Sequence, residues 1–199
     1  MTPDPTPALH PAQNRGLREC YAFARQLARH WETLAPRLGN GHGAEELRAG
    51  ATAAGTLLDE LSALTESYGL YGFPAAQGVG ARLAGVRNVV TDRTLERNQA
   101  LRMAVLDVQH LTTLLAYLGA IGEQRSDAEM TAFCGRWERK LKRIEGQVRR
   151  AAIASGADPD AAIEPLDSSA LGRAGHRVAN AAGTLGEWVD RRAAERRGS

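Results

Sequence analysis

The chain has 199 residues, 43% of them hydrophobic and only 5% aromatic, so Leu, Val and Ala must fill the core of one or two domains. A formal net charge of +2 is too close to neutral to indicate a nucleic-acid-binding protein from composition alone. Two cysteines are too few for a disulfide framework, and the longest apolar stretch, residues 111–121, is too short to span a bilayer. We therefore expect a cytoplasmic protein that needs no cofactor.

The first half of the chain predicts a tail followed by three helices. Four prolines within residues 1–12 predict a disordered tail. Apolar residues then recur at alternating steps of three and four, the spacing of one helix face, over residues 13–36, 44–68 and 74–90. The glycine-rich stretch 39–43 predicts the turn between the first two helices.

The second half predicts three longer helices. Residues 94–121 are apolar on more than one side, which is typical of a helix surrounded by others. Ser126 and Glu129 have the spacing of a capping box and predict the start of a helix over 127–155. A last helix over 168–196 carries a seam rich in Ala and Gly. Together these patterns predict an all-α, up-and-down bundle of about six helices.

We interpret the domain organisation as two parts. Residues 13–122 form a four-helix bundle, and residues 123–199 form a long helical hairpin. The apolar seam of the hairpin has to be covered, either by the bundle or by a second chain. We therefore predict a homodimer.

One segment, Leu61–Pro74, resembles the histidine phosphotransfer (HPt) family of four-helix bundles. The resemblance lies in a helix, a Gly-Phe-Pro turn and a following helix, and its matching residues are Leu64, Ser67, Gly72, Phe73 and Pro74. Ser62 stands where the family has its phosphorylated His, and Glu66 stands where it has Gly. A serine hydroxyl without an added base is a poor nucleophile for this chemistry.

The resemblance therefore implies a docking surface without phosphotransfer chemistry. Ser62, Glu66 and Tyr71 would be its partner-binding residues. On this basis we predict a non-enzymatic, regulatory protein-interaction module, in the form of a degenerate phosphotransfer-like adaptor.

An alternative is a nucleic-acid-associated protein. Residues 136–150 carry a net charge of +5, and the candidate phosphate contacts are Arg139, Lys142, Arg143 and Arg149. Basic residues flank the apolar seam on both sides, which also fits an ordinary solvated helix. The stretch Lys142–Arg149 is similar to a segment of the copper-sensing repressors, but no cysteine follows Cys134 to complete their ligand set.

A third possibility is a bundle that binds a metal or a small ligand. Asp107 and His110 are three residues apart and share a helix face, as in half of a di-iron site. His176 has Arg173 three residues before it, so a second such pair is missing. The alternative is a His that is hydrogen-bonded to Asp or to a neighbouring helix.

Overall fold

The computed structural model describes residues 9–70 and 95–167, together with Ser169 and Arg192. These residues form four long helices, a 3₁₀ turn over Ser155–Ala157 and one short helix. The helices are α1 (Pro11–Leu38), α2 (Ala44–Ser67), α3 (Arg97–Gln124), α4 (Ala128–Ala154) and α5 (Pro159–Ala162). The described part of the chain contains no strand, and the all-α prediction is confirmed there. The helices predicted over 74–90 and 168–196 lie outside the described residues.

The first helix begins earlier than the sequence pattern indicates. Pro11 occupies its first turn, where the missing N–H of proline costs nothing. His10 caps this turn by accepting a backbone N–H through Nδ1, and its own N–H donates to the side chain of Gln13 at 3.0 Å. The predicted disordered tail over 1–12 is therefore wrong for its last residues, and residues 1–8 lie outside the described ranges.

The four long helices pack as a bundle in which neighbours are antiparallel. Going around the bundle, the order is α1, α2, α4 and α3, and the two hairpins α1/α2 and α3/α4 pack most extensively. Gly16, near the start of α1, lies against Leu118, near the end of α3. Gly43, which follows the end of α1 and caps α2, lies against Leu101, near the start of α3. Helices α2 and α3 therefore run in the same direction, at opposite corners of the bundle.

All four helices contribute to one hydrophobic core. Its two largest buried side chains are Trp31 of α1 and Trp137 of α4, which are 0% and 1% exposed. Gly50 of α2 lets the ring of Trp31 approach closely, since a Cβ at this position would lie 2.1 Å from the ring. The apolar seam of α4 is therefore part of the same core, and the boundary predicted at residue 122 does not separate two cores. The α4 seam that we considered for a homodimer is buried in the protein itself.

The turn between α3 and α4 is fixed by Asp127. This residue is the N-cap of α4, with a side chain that accepts the N–H of Met130 at 3.0 Å. The predicted N-cap, Ser126, is wrong; it takes a positive φ of 56° in the turn. The hydroxyl of Tyr68, which follows α2, donates to the Asp127 carboxylate at 2.9 Å. One carboxylate thus joins α2 to the start of α4.

At the opposite end, the residues after α4 return to the start of α3. The backbone of Arg97 donates to Glu164 at 3.0 Å, and that of Leu166 donates to Leu95 at 2.9 Å. The side chain of Asn98 also donates to the carbonyl of Ala152 near the end of α4, at 2.8 Å. These bonds hold the α3/α4 hairpin together at its open end.

Helix α3 is also long and apolar enough to cross a membrane, judged by length and composition alone. Core helices pass the same test, and 44% of its most apolar window is buried inside the protein. Among the described residues, α3 packs mainly on α1 and α4 and keeps an exposed outward face, so the prediction that other helices surround it is not confirmed.

Candidate functional site

The densest cluster of charge on the described residues lies on the outward face of α4. The four basic residues predicted to contact nucleic acid, Arg139, Lys142, Arg143 and Arg149, are all exposed. In the sequence they flank the apolar seam on both sides. Because that seam faces the core, both flanks lie on the exterior, and the basic residues share a single surface.

The edge of this surface next to α3 is neutralised. Lys142 pairs with Glu138 at 2.6 Å, and the Nε of Arg149 donates to Glu145 at 2.8 Å. Both pairs join residues four positions apart on one helix, an arrangement that adds only a few tenths of a kcal/mol to helix stability, roughly 0.3 to 0.5. Two of the four predicted contacts are therefore already partnered.

The edge next to α2 is partnered as well. Glu60 of α2 accepts from Arg136 at 2.6 Å and from the indole N–H of Trp137 at 2.9 Å. Lys140 lies over the Trp137 ring, 4.2 Å from its centroid. Partial burial raises the pKa of Glu60, but the hydrogen bonds from Arg136 and Trp137 and the nearby positive charges lower it more. The net pKa of Glu60 lies below its usual value, so this carboxylate is ionised at neutral pH.

Between the two edges lies a line of arginines without acidic partners. Arg139, Arg143 and Arg150 are exposed, and none of them forms an ion pair with any residue in the described ranges. By helical rise the line is about 16 Å long. We call these three residues the arginine line.

A groove lies between α2 and the first half of α4, and its last lining residue, Arg136, is three residues before Arg139. Its volume is about 360 Å³, and its lining is Glu60, Ala63, Leu64, Glu129, Ala132, Phe133 and Arg136. Arg136 lies over the Phe133 ring at 5.7 Å from the centroid. The groove is thus apolar in its floor and charged at its rim.

The two helices that line the groove have opposite charge. Helix α4 contains seven basic and three acidic residues, a net charge of +4. Helix α2 contains five acidic residues and one basic residue, a net charge of −4. The cationic surface is therefore one helix wide and is bordered on the α2 side by negative charge.

The docking residues implied by the HPt resemblance lie elsewhere, on and after α2. Ser62 is half-buried, and its hydroxyl donates to the carbonyl of Leu58 at 3.0 Å. Glu66 is exposed, and Tyr71 lies outside the described residues. Neither Ser62 nor Glu66 lines the groove, and the HPt interpretation stays a prediction.

The candidate metal ligands, Asp107 and His110, pair with different residues of α1. Asp107 lies 3.3 Å from the Nδ1 of His30, and His110 lies 3.1 Å from Glu19. No group of three or more His, Cys, Asp or Glu that could hold a metal occurs among residues 9–70 and 95–167. Both pairs fasten α3 to α1. The sequence gives no sign of the His30–Asp107 pair, because 77 residues separate its members.

The two cysteines are free, buried thiols. Burial raises the pKa of Cys134 to about 12 and raises that of Cys20 further, with smaller contributions from nearby negative groups. Both thiols are therefore protonated at neutral pH, and neither has the thiolate that nucleophilic chemistry requires.

Comparison with known proteins gives no assignment. The chain matches no protein-family model, no curated protein and no solved structure.

Proposed function

We propose that this protein is a non-enzymatic interaction module, and that its partner is a protein segment carrying acidic side chains, which binds along the outward face of α4. The observation that carries the proposal is the arginine line. Three exposed guanidinium groups without acidic partners in the described chain are available for charge-assisted hydrogen bonds to carboxylates.

The width of the surface favours a protein segment. The cationic surface is one helix wide, and the negative charge of α2 borders it. A helix or an extended segment, about 10 Å wide, fits this strip. A nucleic-acid duplex is broader and would extend over α2, whose net charge is negative.

The groove before the Arg139 end of the arginine line supplies a place for an apolar anchor. Its volume of about 360 Å³ accommodates one large side chain, and Leu64 and Phe133 line it. A segment that places an aromatic or aliphatic residue in the groove would extend its acidic residues toward Arg139 and Arg143. We therefore infer an acidic, amphipathic partner segment.

The test is fluorescence anisotropy with a labelled amphipathic peptide that combines glutamates with leucines, against the full-length chain. Replacing Arg139, Arg143 and Arg150 together by Glu is expected to weaken binding by at least about tenfold. The matched control reverses three exposed arginines of α1, Arg15, Arg29 and Arg37, and is expected to leave binding unchanged.

Other outcomes would contradict this assignment. No binding of the peptide at low salt would overturn it, and so would equal losses in the α4 variant and the α1 control. A loss with Glu66→Lys on α2 instead would move the docking surface to the helix indicated by the HPt resemblance.

Nucleic-acid binding is the second candidate, because unpaired arginines also suit phosphates. A short DNA duplex in the same assay separates the two. Binding of DNA in preference to the peptide, with a steep dependence on salt, would favour the nucleic-acid function.

We also propose that the whole chain forms an up-and-down bundle of about six helices. In an up-and-down bundle of about six helices, one further helix has to lie between α2 and α3 in the chain, because these two run in the same direction. The helix predicted over 74–90 would fill that place.

A further inference from the structure

The outward face of α3 carries almost no charge. Residues 108–122 contain no Asp, Glu, Lys or Arg. Leu106 is 55% exposed and Tyr117 is 51% exposed on this face. We call seven of the exposed residues along it the α3 strip, namely Arg102, Leu106, Thr113, Ala116, Tyr117, Ala120 and Glu123. Two other exposed residues of α3 are His110, which already pairs with Glu19 of α1, and Gln124.

The α3 strip is complementary to itself when it is reversed about Thr113. Leu106 lies seven residues before Thr113, and Ala120 lies seven residues after it. In an antiparallel pair of α3 helices, a bulky side chain would therefore meet a small one at both ends of the contact. Interdigitation of large and small side chains is what close helix packing requires.

Two opposite charges lie near the ends of the strip, one residue away from exact symmetry about Thr113. Arg102 lies eleven residues before Thr113, and Glu123 lies ten residues after it. Both are exposed, and neither forms an ion pair with a residue of the described chain. Within one helix they are about 32 Å apart by helical rise, too far to interact with each other.

We propose that the α3 strip binds a second copy of this chain, in an antiparallel, two-fold symmetric dimer centred on Thr113. Leu106 of each protomer packs on the partner's Ala120, and Arg102 pairs with the partner's Glu123. The same patch is used on both sides, as in an isologous interface. A strip one helix wide lies at the small end of stable interfaces, so we expect a dissociation constant in the micromolar range.

A second copy suits this face better than a lipid bilayer. The inward side of α3 packs in the core, so the helix cannot be surrounded by lipid without unfolding the bundle. An interfacial helix normally carries several basic residues beside its apolar face, whereas the strip has one arginine and one glutamate at opposite ends.

The test is a charge exchange measured by sedimentation equilibrium over a range of micromolar concentrations. Arg102→Glu alone and Glu123→Arg alone each place like charges opposite one another, and each is expected to raise the dimer dissociation constant by about tenfold or more. The double variant restores opposite charges across the interface, and its dissociation constant is expected to return to within about threefold of the original.

The controls keep the result unambiguous. Ala120→Arg inserts bulk where Leu106 packs and is expected to give a monomer, with an unchanged helical circular dichroism spectrum. Arg29→Glu on α1 changes charge as much as Arg102→Glu and is expected to leave the dimer intact.

Several results would overturn the proposal. They are a monomeric wild-type chain over the whole range, a dimer that neither single exchange weakens, or a double variant that is no better than the singles. A monomer that binds vesicles of zwitterionic and anionic lipids would assign the strip to membranes instead.

Discussion

Helices α3 and α4 form one hairpin and have nearly the same length, yet their outward faces are opposites. Both bury a full apolar seam in the same core, with Leu115 on α3 and Trp137 on α4 almost completely inaccessible. Along its length α4 has ten charged residues, whereas α3 has four, three of them before a long neutral stretch and one, Glu123, after it.

The difference indicates that the inward and outward faces of each helix have separate roles, one in packing and one in binding. The helical spacing of the inward apolar residues places both helices in one bundle, and this spacing is of the same kind in α3 and α4. The outward residues have no part in that packing, so their contrast points to two separate surfaces. We assign one to an acidic segment and the other to a second copy of the chain.

The largest expected effect tests whether the two inward faces are equivalent. Trp137→Ala on α4 and Leu115→Ala on α3 each leave a cavity in the same core, so we expect losses in unfolding free energy of about 3 to 5 and about 2 to 5 kcal/mol. Chemical denaturation measures both. If Trp137→Ala costs less than about 1 kcal/mol, α4 is not a full member of the core.

A smaller effect tests the hydrogen bond between Tyr68 and Asp127, which anchors α4 to α2. Among the described residues, α3 has no equivalent bond to α2. Tyr68→Phe removes the hydroxyl that donates to Asp127, and we expect a loss of about 1 to 2 kcal/mol in unfolding free energy. Tyr117→Phe on α3 is the control for loss of a tyrosine hydroxyl away from this turn, since this side chain is 51% exposed. Equal losses for both variants would show that the Asp127 contact is not special.

Two glycines sharpen the contrast between buried and outward positions. A Cβ at Gly122 of α3 would lie 2.7 Å from the Thr131 hydroxyl and 3.2 Å from its backbone nitrogen, so Gly122→Ala is expected to cost about 1 to 3 kcal/mol. Gly146 on the outward side of α4 meets only the flexible end of Arg150, at 3.6 Å. Gly146→Ala is therefore expected to stabilise by up to about 1 kcal/mol, because alanine favours the helix. Thermal unfolding measures whether each variant is more or less stable than the wild type. A change in the same direction for both variants would contradict this prediction.

The smallest effect concerns Glu60, which belongs to the charged side of the comparison. Its pKa in the folded protein is lowered, so its stabilising contribution is present at neutral pH and is lost as the pH falls through that lowered pKa. The side chain is 39% exposed, so solvent screening limits the contribution to about 1 kcal/mol or less. We expect Glu60→Gln to flatten the acid limb of the stability profile. Identical profiles for Glu60→Gln and the wild type would exclude this contribution.

Much of the fold follows from local spacing, and the parts that do not are long-range. Helices α1 to α4 begin and end within three residues of their predicted positions, because the apolar period and the glycine turns are local signals. The seam of α4 is the same whether it meets this bundle or another chain, so its membership of the core could not be predicted. At the start of α4, Ser126 and Asp127 are both good caps, and only the turn geometry decides between them.

Part of the candidate surface could have been predicted from the sequence. A spacing of 100° per residue places Arg139, Arg143 and Arg150 on one side of a helix, so the arginine line could have been recognised from the pattern. The neutralisation of Arg136 could not, because Glu60 is 76 residues away in the chain.

The inaccessibility of Cys20 and Cys134 has a practical consequence. Since the chain has no other cysteine, a thiol introduced at an exposed site would be the one that reacts with a label under native conditions. Spin probes attached at Thr113 or Arg143 could then report distances within and between molecules, without first replacing either native sulfur.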